Sequence, residues 1–225
     1  MTQLPVPRVA VLIDPDEAVS GLQDGDTLLI GGFGLAGQPL ALIDAVRRSG
    51  KQRLTVVNNN AGNGDTGLAA LLATGQVSRI ICSFPRQPDS WVFDGLYRSG
   101  EIQLEVVPQG NLAERLRAAG AGIGAFYTPT GVGTALGAGK EHRWIEGREY
   151  LLELPLRGDF ALIRAHQADR SGNLVYRKTA RNFGPLMATA ARVSVAQVSE
   201  VVEAGGIDPE HVITPGIFID RVVRV

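Results

Sequence analysis

Residues 27–37 read Thr27-Leu-Leu-Ile-Gly-Gly-Phe-Gly-Leu-Ala-Gly37. A short apolar run that stops at paired glycines predicts a buried strand feeding a tight loop. Residues 39–48 follow with apolar side chains at helical spacing, so the unit is strand, glycine loop, helix. The pattern then repeats. Residues 54–57 (LTVV) predict the next strand, and 66–74 (TGLAALLAT) a helix with Gly75 as its stop. Residues 79–82 predict a third strand, 89–98 a helix and 102–107 (IQLEVV) a fourth strand. A helix is expected over 111–119, with Asn111 and Glu114 spaced as a capping box and Gly120 as terminator. Strands alternating with helices predict βαβ units and an α/β fold, an open, mainly parallel sheet with flanking helices.

The second half is strand-rich. Residues 144–154 (WIEGREYLLEL) predict a hairpin around Glu146-Gly147, and 160–163, 174–176, 193–198 and 218–223 predict further strands. Helical signal is thin there. No Pro/Ser/Gly-rich linker and no internal repeat interrupts the chain, so residues 1–225 are expected to form one domain.

Composition narrows the function classes. With 22 basic against 23 acidic residues, the net charge of -1 gives no reason to expect nucleic acid or an anionic membrane as partner. The lone Cys82 rules out an intramolecular disulfide and suits a reducing cytoplasm. The first ten residues show no basic start followed by an apolar run, so no signal peptide is expected, and no stretch approaches the roughly 20 apolar residues of a membrane helix.

In an open parallel sheet, ligands bind beyond the carboxyl ends of the strands. The segments after the predicted strands are therefore the candidate site. They comprise Gly31, Gly32, Phe33, Gly34, Leu35, Ala36 and Gly37, then Asn58-Asn-Asn-Ala-Gly62, then Ser83-Phe-Pro-Arg-Gln87, and lastly Pro108-Gln-Gly110. The glycine loop permits close backbone approach and offers N–H groups to an anion, or is simply a packing turn. It contains the dinucleotide fingerprint Gly32-x-Gly34-x-x-Gly37, but an acidic residue should then follow the second strand to hold a ribose. Asn58, Asn59 and Asn60 stand there instead, which argues against a nicotinamide dinucleotide. Asparagines serve turns and caps, or act as neutral donors to a carbonyl or carboxylate. Gln109 is either an exposed turn glutamine or an amide aimed at a developing oxyanion. Arg177, Lys178 and Arg181 form a solvated basic face or meet a phosphate. His142, His166 and His211 have no metal-ligand spacing, and no metal is expected. Cys82, in an apolar strand, and Trp91 and Trp144 read as packing. None of the four loops carries a glutamate.

Six stretches resemble the class I coenzyme A transferases, in the family's order. They are Asp24-Gly-Asp-Thr-Leu-Leu-Ile-Gly-Gly-Phe-Gly-Leu-Ala-Gly-Gln-Pro39, Asn59-Asn-Ala-Gly62, Pro108-Gln-Gly-Asn-Leu-Ala-Glu-Arg115, Phe126-Tyr-Thr-Pro-Thr-Gly131, Gly158-Asp-Phe-Ala-Leu-Ile163 and Arg177-Lys-Thr-Ala-Arg-Asn182. The likeness runs from about Asp14 to the C-terminus. It implies an α/β fold shared with sugar-phosphate isomerases and an alpha subunit that works with a beta subunit, in a heterodimer or an A2B2 heterotetramer. It also implies a nucleophilic glutamate in a Ser-Glu-Asn-Gly stretch of the beta subunit, and this chain has no such stretch. By resemblance, residues 31–37 line the CoA path, while Asn59, Asn60 and Gln109 face the acyl centre. The CoA thioester is substrate, and no permanently bound cofactor is implied. Within the family, Cys82-Ser-Phe-Pro-Arg-Gln87 and Gln109-Gly-Asn-Leu-Ala-Glu-Arg115 look most like the branch that moves CoA from succinyl-CoA to 3-oxoadipate. The branch acting on acetoacetate is the alternative. Arg86, the one cation in the four loops, is then a candidate for the acceptor's second carboxylate, or else a surface arginine paired with Asp89. Two rival classes are a dehydrogenase, disfavoured by the missing acidic residue, and a metabolite sensor of the same fold. A sensor is expected to carry a DNA-binding segment, for which no residues are left over.

Overall fold

The computed structural model describes residues 9–12 and 14–225, so the leader reading lies, except for Val9 and Ala10, outside the described residues. In chain order come β1 (Ala10–Leu12), α1 (Pro15–Ala18), β2 (Thr27–Ile30), α2 (Leu40–Ser49), β3 (Leu54–Val57), α3 (Gly67–Ala73), β4 (Val77–Cys82), α4 (Trp91–Ser99), β5 (Gln103–Val106) and α5 (Gln109–Gly120). There follow β6 (Phe126–Thr128), β7 (His142–Ile145), β8 (Arg148–Glu153), β9 (Gly158–Arg164), β10 (Gln167–Asp169), β11 (Leu174–Val175), α6 (Gly184–Ala190), β12 (Ala191–Val198), β13 (Glu200–Val202) and β14 (Arg221–Arg224).

Eight strands form the main sheet in the order β1-β14-β12-β9-β2-β3-β4-β5, and every pairing in it is parallel. From β2 the chain winds one way through β3, β4 and β5. From β9 it winds the other way through β12 and β14. The switch point lies between β2 and β9, where an open parallel sheet leaves its ligand crevice. The glycine loop leaves β2 at that point, and the Gly31 N–H donates to the Leu162 carbonyl of β9 at 2.9 Å.

Both faces of the sheet are covered, which explains its near-continuous apolar strands. Side chains alternate between two cores with the strand period of two. Leu28, Ile30, Val56, Ile80, Phe160 and Leu162 pack on one side, with Leu42 and Val46 of α2 and Leu68 and Leu71 of α3. Leu29, Val57, Ile81, Ala161 and Ile163 pack on the other, with Leu112 and Leu116 of α5 and Met187 of α6. Cys82 lies fully inside the first core, and burial pushes its thiol up to about 12, so it is inert to nucleophilic chemistry at neutral pH.

Several sequence expectations need correction. α5 begins at Gln109, not Asn111, with Pro108 as its N-cap and no side-chain cap bond. The capping box does not form, because Asn111 lies inside the helix; its Nδ2 donates to Glu153 Oε1 of β8 at 3.1 Å, while Glu114 pairs with Arg117. The helix also runs through Gly120 and is capped by Ala121, so Gly120 is not its terminator. The second half contains a helix, α6, that its sparse polar pattern concealed. The last strand starts at Arg221, and residues 216–218 form a turn of 3-10 helix. The expected hairpin is β7 and β8, paired antiparallel, with Glu146 and Gly147 at φ 49 and 76 as a two-residue turn demands.

Candidate functional site

Because the strands are parallel, the loops after β2, β3, β4 and β5 leave by one edge, and hydrogen bonds join them there. The three consecutive asparagines do three different things. Asn58 is structural: its Nδ2 donates to the Ile30 carbonyl at 2.7 Å and its Oδ1 accepts the Asn60 N–H at 2.9 Å. Asn59 is the hub. Its Oδ1 accepts from Ser83 Oγ at 2.7 Å and from Gln109 Nε2 at 2.8 Å, so one amide links the loops after β3, β4 and β5. Two donors on the oxygen orient the carboxamide, and its Nδ2 has no partner among the described residues. Asn60 is fully enclosed, and neither end of its carboxamide finds a hydrogen bond among the described residues. A buried polar group left unpaired costs about 1–3 kcal/mol, and such orphans in a native fold call for a functional or strain explanation.

Gln109 is exposed, as the first residue of α5. Its Nε2 has two hydrogens, and Asn59 takes one. The second N–H, the free Asn59 Nδ2 and the unpaired backbone N–H groups at the start of α5 make a local set of neutral donors.

The glycine loop is held from two sides. Gln38, buried, donates from Nε2 to the Gly34 carbonyl at 2.8 Å and accepts the Leu68 N–H on Oε1 at 3.2 Å, tying the loop to α3. Asn182 accepts the Gly32 N–H at 3.1 Å and donates to the Ala36 carbonyl at 3.2 Å. Glycine is required at two close approaches. A Cβ on Gly37 (φ 78) would meet Asn182 Nδ2 at 2.5 Å, and one on Gly62 (φ 84) would meet the Ala69 nitrogen at 2.5 Å. Phe33, Leu35 and Phe84 stand exposed on the same edge.

Arg86 is also exposed, and its Nε donates to Asp94 Oδ1 of α4 at 2.7 Å. Asp94 thus takes the place of Asp89 as its surface partner. Among the described residues no His/Cys/Asp/Glu cluster could hold a metal ion, and no helix is long and apolar enough to cross a membrane. Sequence reasoning does not single out Ser83, Gln38 or Asn182, because each joins a distant stretch of the chain: Ser83 meets Asn59, Gln38 meets Leu68 and Asn182 meets Gly32.

The edge beyond β2, β3, β4 and β5 thus brings together a clamped glycine loop and a set of neutral amides. The chain belongs to the coenzyme A transferase family, whose sequence pattern it matches over residues 12–225. It is 64% identical over 208 residues to the A-type subunit of the 3-oxoadipate CoA-transferase of Pseudomonas putida, covering 92% of this chain and 90% of that one. To the A-type subunit of the succinyl-CoA:3-ketoacid coenzyme A transferase of Helicobacter pylori it is 50% identical over 214 residues, covering 95% and 91%. The solved acyl-CoA transferase of Escherichia coli O157:H7, in a thioester complex with CoA, superposes with a TM-score of 0.84 at 24% identity. That alignment covers 97% of this chain and 48% of the other, so this chain matches about half of that protein, and the likeness bears on fold alone.

Proposed function

We propose that this chain is the alpha-type subunit of a CoA transferase that moves CoA from succinyl-CoA to 3-oxoadipate, with the nucleophilic glutamate supplied by a partner beta subunit. One observation carries the reading. The strand-end loops assemble amide donors around Asn59 and Gln109 beside a clamped glycine loop, yet none of the four contains an Asp or Glu to attack a thioester. The higher identity to the 3-oxoadipate enzyme than to the 3-ketoacid enzyme supports that acceptor over acetoacetate. The whole chain acts as one domain, because its second half supplies β9, β12 and β14 to the same sheet as β2 to β5. It works in the cytoplasm without a resident cofactor.

The partner's carboxylate attacks the succinyl-CoA carbonyl, the C–S bond breaks, and an acyl-glutamyl anhydride and CoA thiolate result. The thiolate attacks the glutamyl carbonyl, succinate leaves, and the enzyme holds a glutamyl-CoA thioester. The acceptor carboxylate then displaces the thiolate to form a second anhydride. The thiolate takes the acceptor's acyl group and the glutamate is free again. Each addition puts negative charge on a carbonyl oxygen. Gln109 and Asn59 offer N–H groups to that oxygen, and being neutral they do not tie up the attacking carboxylate as Arg or Lys would.

Purified alone, the chain is expected to transfer no CoA, and activity should appear on mixing with its beta subunit. Transfer by this chain with no partner detectable by mass spectrometry would overturn the reading. A smaller effect follows from the hub. Ser83→Ala removes one of the two donors that orient Asn59, and a hydrogen bond contributes about 0.5–1.5 kcal/mol. In the assembled enzyme kcat should fall about 2–10-fold, and steady-state kinetics with saturating donor and acceptor measure it.

A further inference from the structure

Arg177, Lys178 and Arg181 lie between β11 and α6, the last two within one turn of 3-10 helix, Lys178–Arg181. All three are exposed. None forms an ion pair among the described residues. In a chain of net charge -1 this is a local excess of positive charge. The turn is also strained at both ends, with Lys178 at φ 52 and Asn182 at φ 23. Backbone in such regions is costly, and it persists where the surroundings over-determine it, commonly at ligand clamps.

What over-determines this turn is the glycine loop. Asn182 Oδ1 accepts the Gly32 N–H at 3.1 Å and the Phe183 N–H at 2.7 Å. Its Nδ2 donates to the Ala36 carbonyl at 3.2 Å and back to the Ala180 carbonyl at 3.0 Å. From the other side, a Cβ on Gly37 would lie 2.6 Å from the Ala180 carbonyl oxygen. The cationic turn and the loop are thus tied into one body, and the turn holds its charges at a fixed place beside the loop.

We infer that this turn anchors the phosphate groups of the CoA thioester, its 3′-phosphate and diphosphate, while the glycine loop lines the path to the reacting carbonyl. The inference rests on the proposed function, in which that loop is the CoA path. Guanidinium and ammonium groups free of carboxylates suit phosphate oxygens, with Arg offering a planar fork and Lys a point charge. Fixing them to the loop sets the distance between the phosphate end and the thioester end, so binding of the remote end helps to place the carbonyl against the amide donors.

The test compares two donors in the enzyme assembled with its beta subunit: succinyl-CoA and succinyl-pantetheine, which has the thioester but no 3′-phosphate or diphosphate. In the Arg177→Gln/Lys178→Gln/Arg181→Gln variant, kcat/KM for succinyl-CoA should fall at least about tenfold, through KM. The variant-to-wild-type ratio for succinyl-pantetheine should stay within about twofold of one. The KM of the wild type for succinyl-CoA should also rise with salt more steeply than that of the variant. An equal loss for both donors, or no loss for succinyl-CoA, overturns the anchor. The single Lys178→Gln and Arg177→Gln variants, read the same way, decide the matter if the triple variant does not assemble. Leu35→Asp, on the exposed tip of the loop, tests the CoA path apart from the phosphate anchor. It should impair both donors, and if it impairs neither, the CoA-path reading itself falls.

Discussion

Gln109→Ala should lower kcat of the assembled enzyme about 10²–10³-fold while leaving folding and assembly intact. The side chain is exposed, and its one hydrogen bond among the described residues runs to Asn59 Oδ1 at 2.8 Å, so removing it opens no cavity in either core. What is lost is a donor that developing charge would use. Gln109 sits at the start of a 12-residue helix, whose N-terminal dipole and free N–H groups add to the same positive potential. The helix is anchored beyond that end: Arg115 Nε donates to the Leu154 carbonyl at 2.9 Å, and Asn111 holds Glu153. The amide is therefore placed before the substrate arrives, the condition under which such a donor contributes most. Gln109→Glu keeps the reach but puts a carboxylate beside the forming oxyanion, and it should lose at least as much. Steady-state kinetics with both substrates saturating, together with a thermal melt of the assembled protein, measure both. A kcat within about threefold of wild type for Gln109→Ala would make the glutamine a turn residue only.

The fold is legible where the periodicity is local. Strands 27–30 and 54–57 and the helices that follow them come from apolar runs cut by glycine, and the structure places them within a residue or two. What escapes depends on partners far along the chain. Asn111 looks like a helix cap, yet it lies inside α5 and its amide goes to Glu153, 42 residues away. α6 is hidden because Gly184-Pro185-Leu-Met-Ala-Thr-Ala190 has no polar face to reveal a helical period, being packed against α5 and β9. In the site, the neutral amides can be picked out from their position after the strands. Their division of labour cannot. Nothing in three identical asparagines says that the first braces β2, the second gathers Ser83 and Gln109, and the third lies enclosed with its amide unpaired among the described residues. Likewise the Gly32 contact with Asn182 spans 150 residues, so the clamp emerges only when the two halves of the sheet meet.

Arg86→Met should reduce kcat/KM for 3-oxoadipate about 10–150-fold and leave acetoacetate nearly untouched. 3-Oxoadipate has two carboxylates. One must stay free to attack the enzyme thioester, and the other needs a counter-charge wherever the site is partly dry, because an unpaired buried carboxylate is costly. Acetoacetate has no second carboxylate and makes no such demand. Arg86 is the one cation in the four loops, and it follows Pro85, which restrains the backbone. Its side chain is 56% exposed in this chain, and among the described residues only Nε is engaged, with Asp94 at 2.7 Å. The guanidinium's outer nitrogens are left to grip a carboxylate with two bonds. The pair with Asp94 contributes little while it stands in water, so it orients the arginine without neutralising its use. Charge-assisted hydrogen bonds contribute about 1.5–3 kcal/mol when formed, which sets the range above. The partner subunit must help to exclude water for the upper end to be reached. Asp94→Asn provides an internal comparison: it removes the counter-charge beside Nε without removing the cation, and it should weaken 3-oxoadipate by only a few-fold. Kinetics of the assembled enzyme with both acceptors decide between the roles. If Arg86→Met lowers both acceptors equally, or neither, then Arg86 is a surface arginine bracing α4 and acceptor choice resides elsewhere.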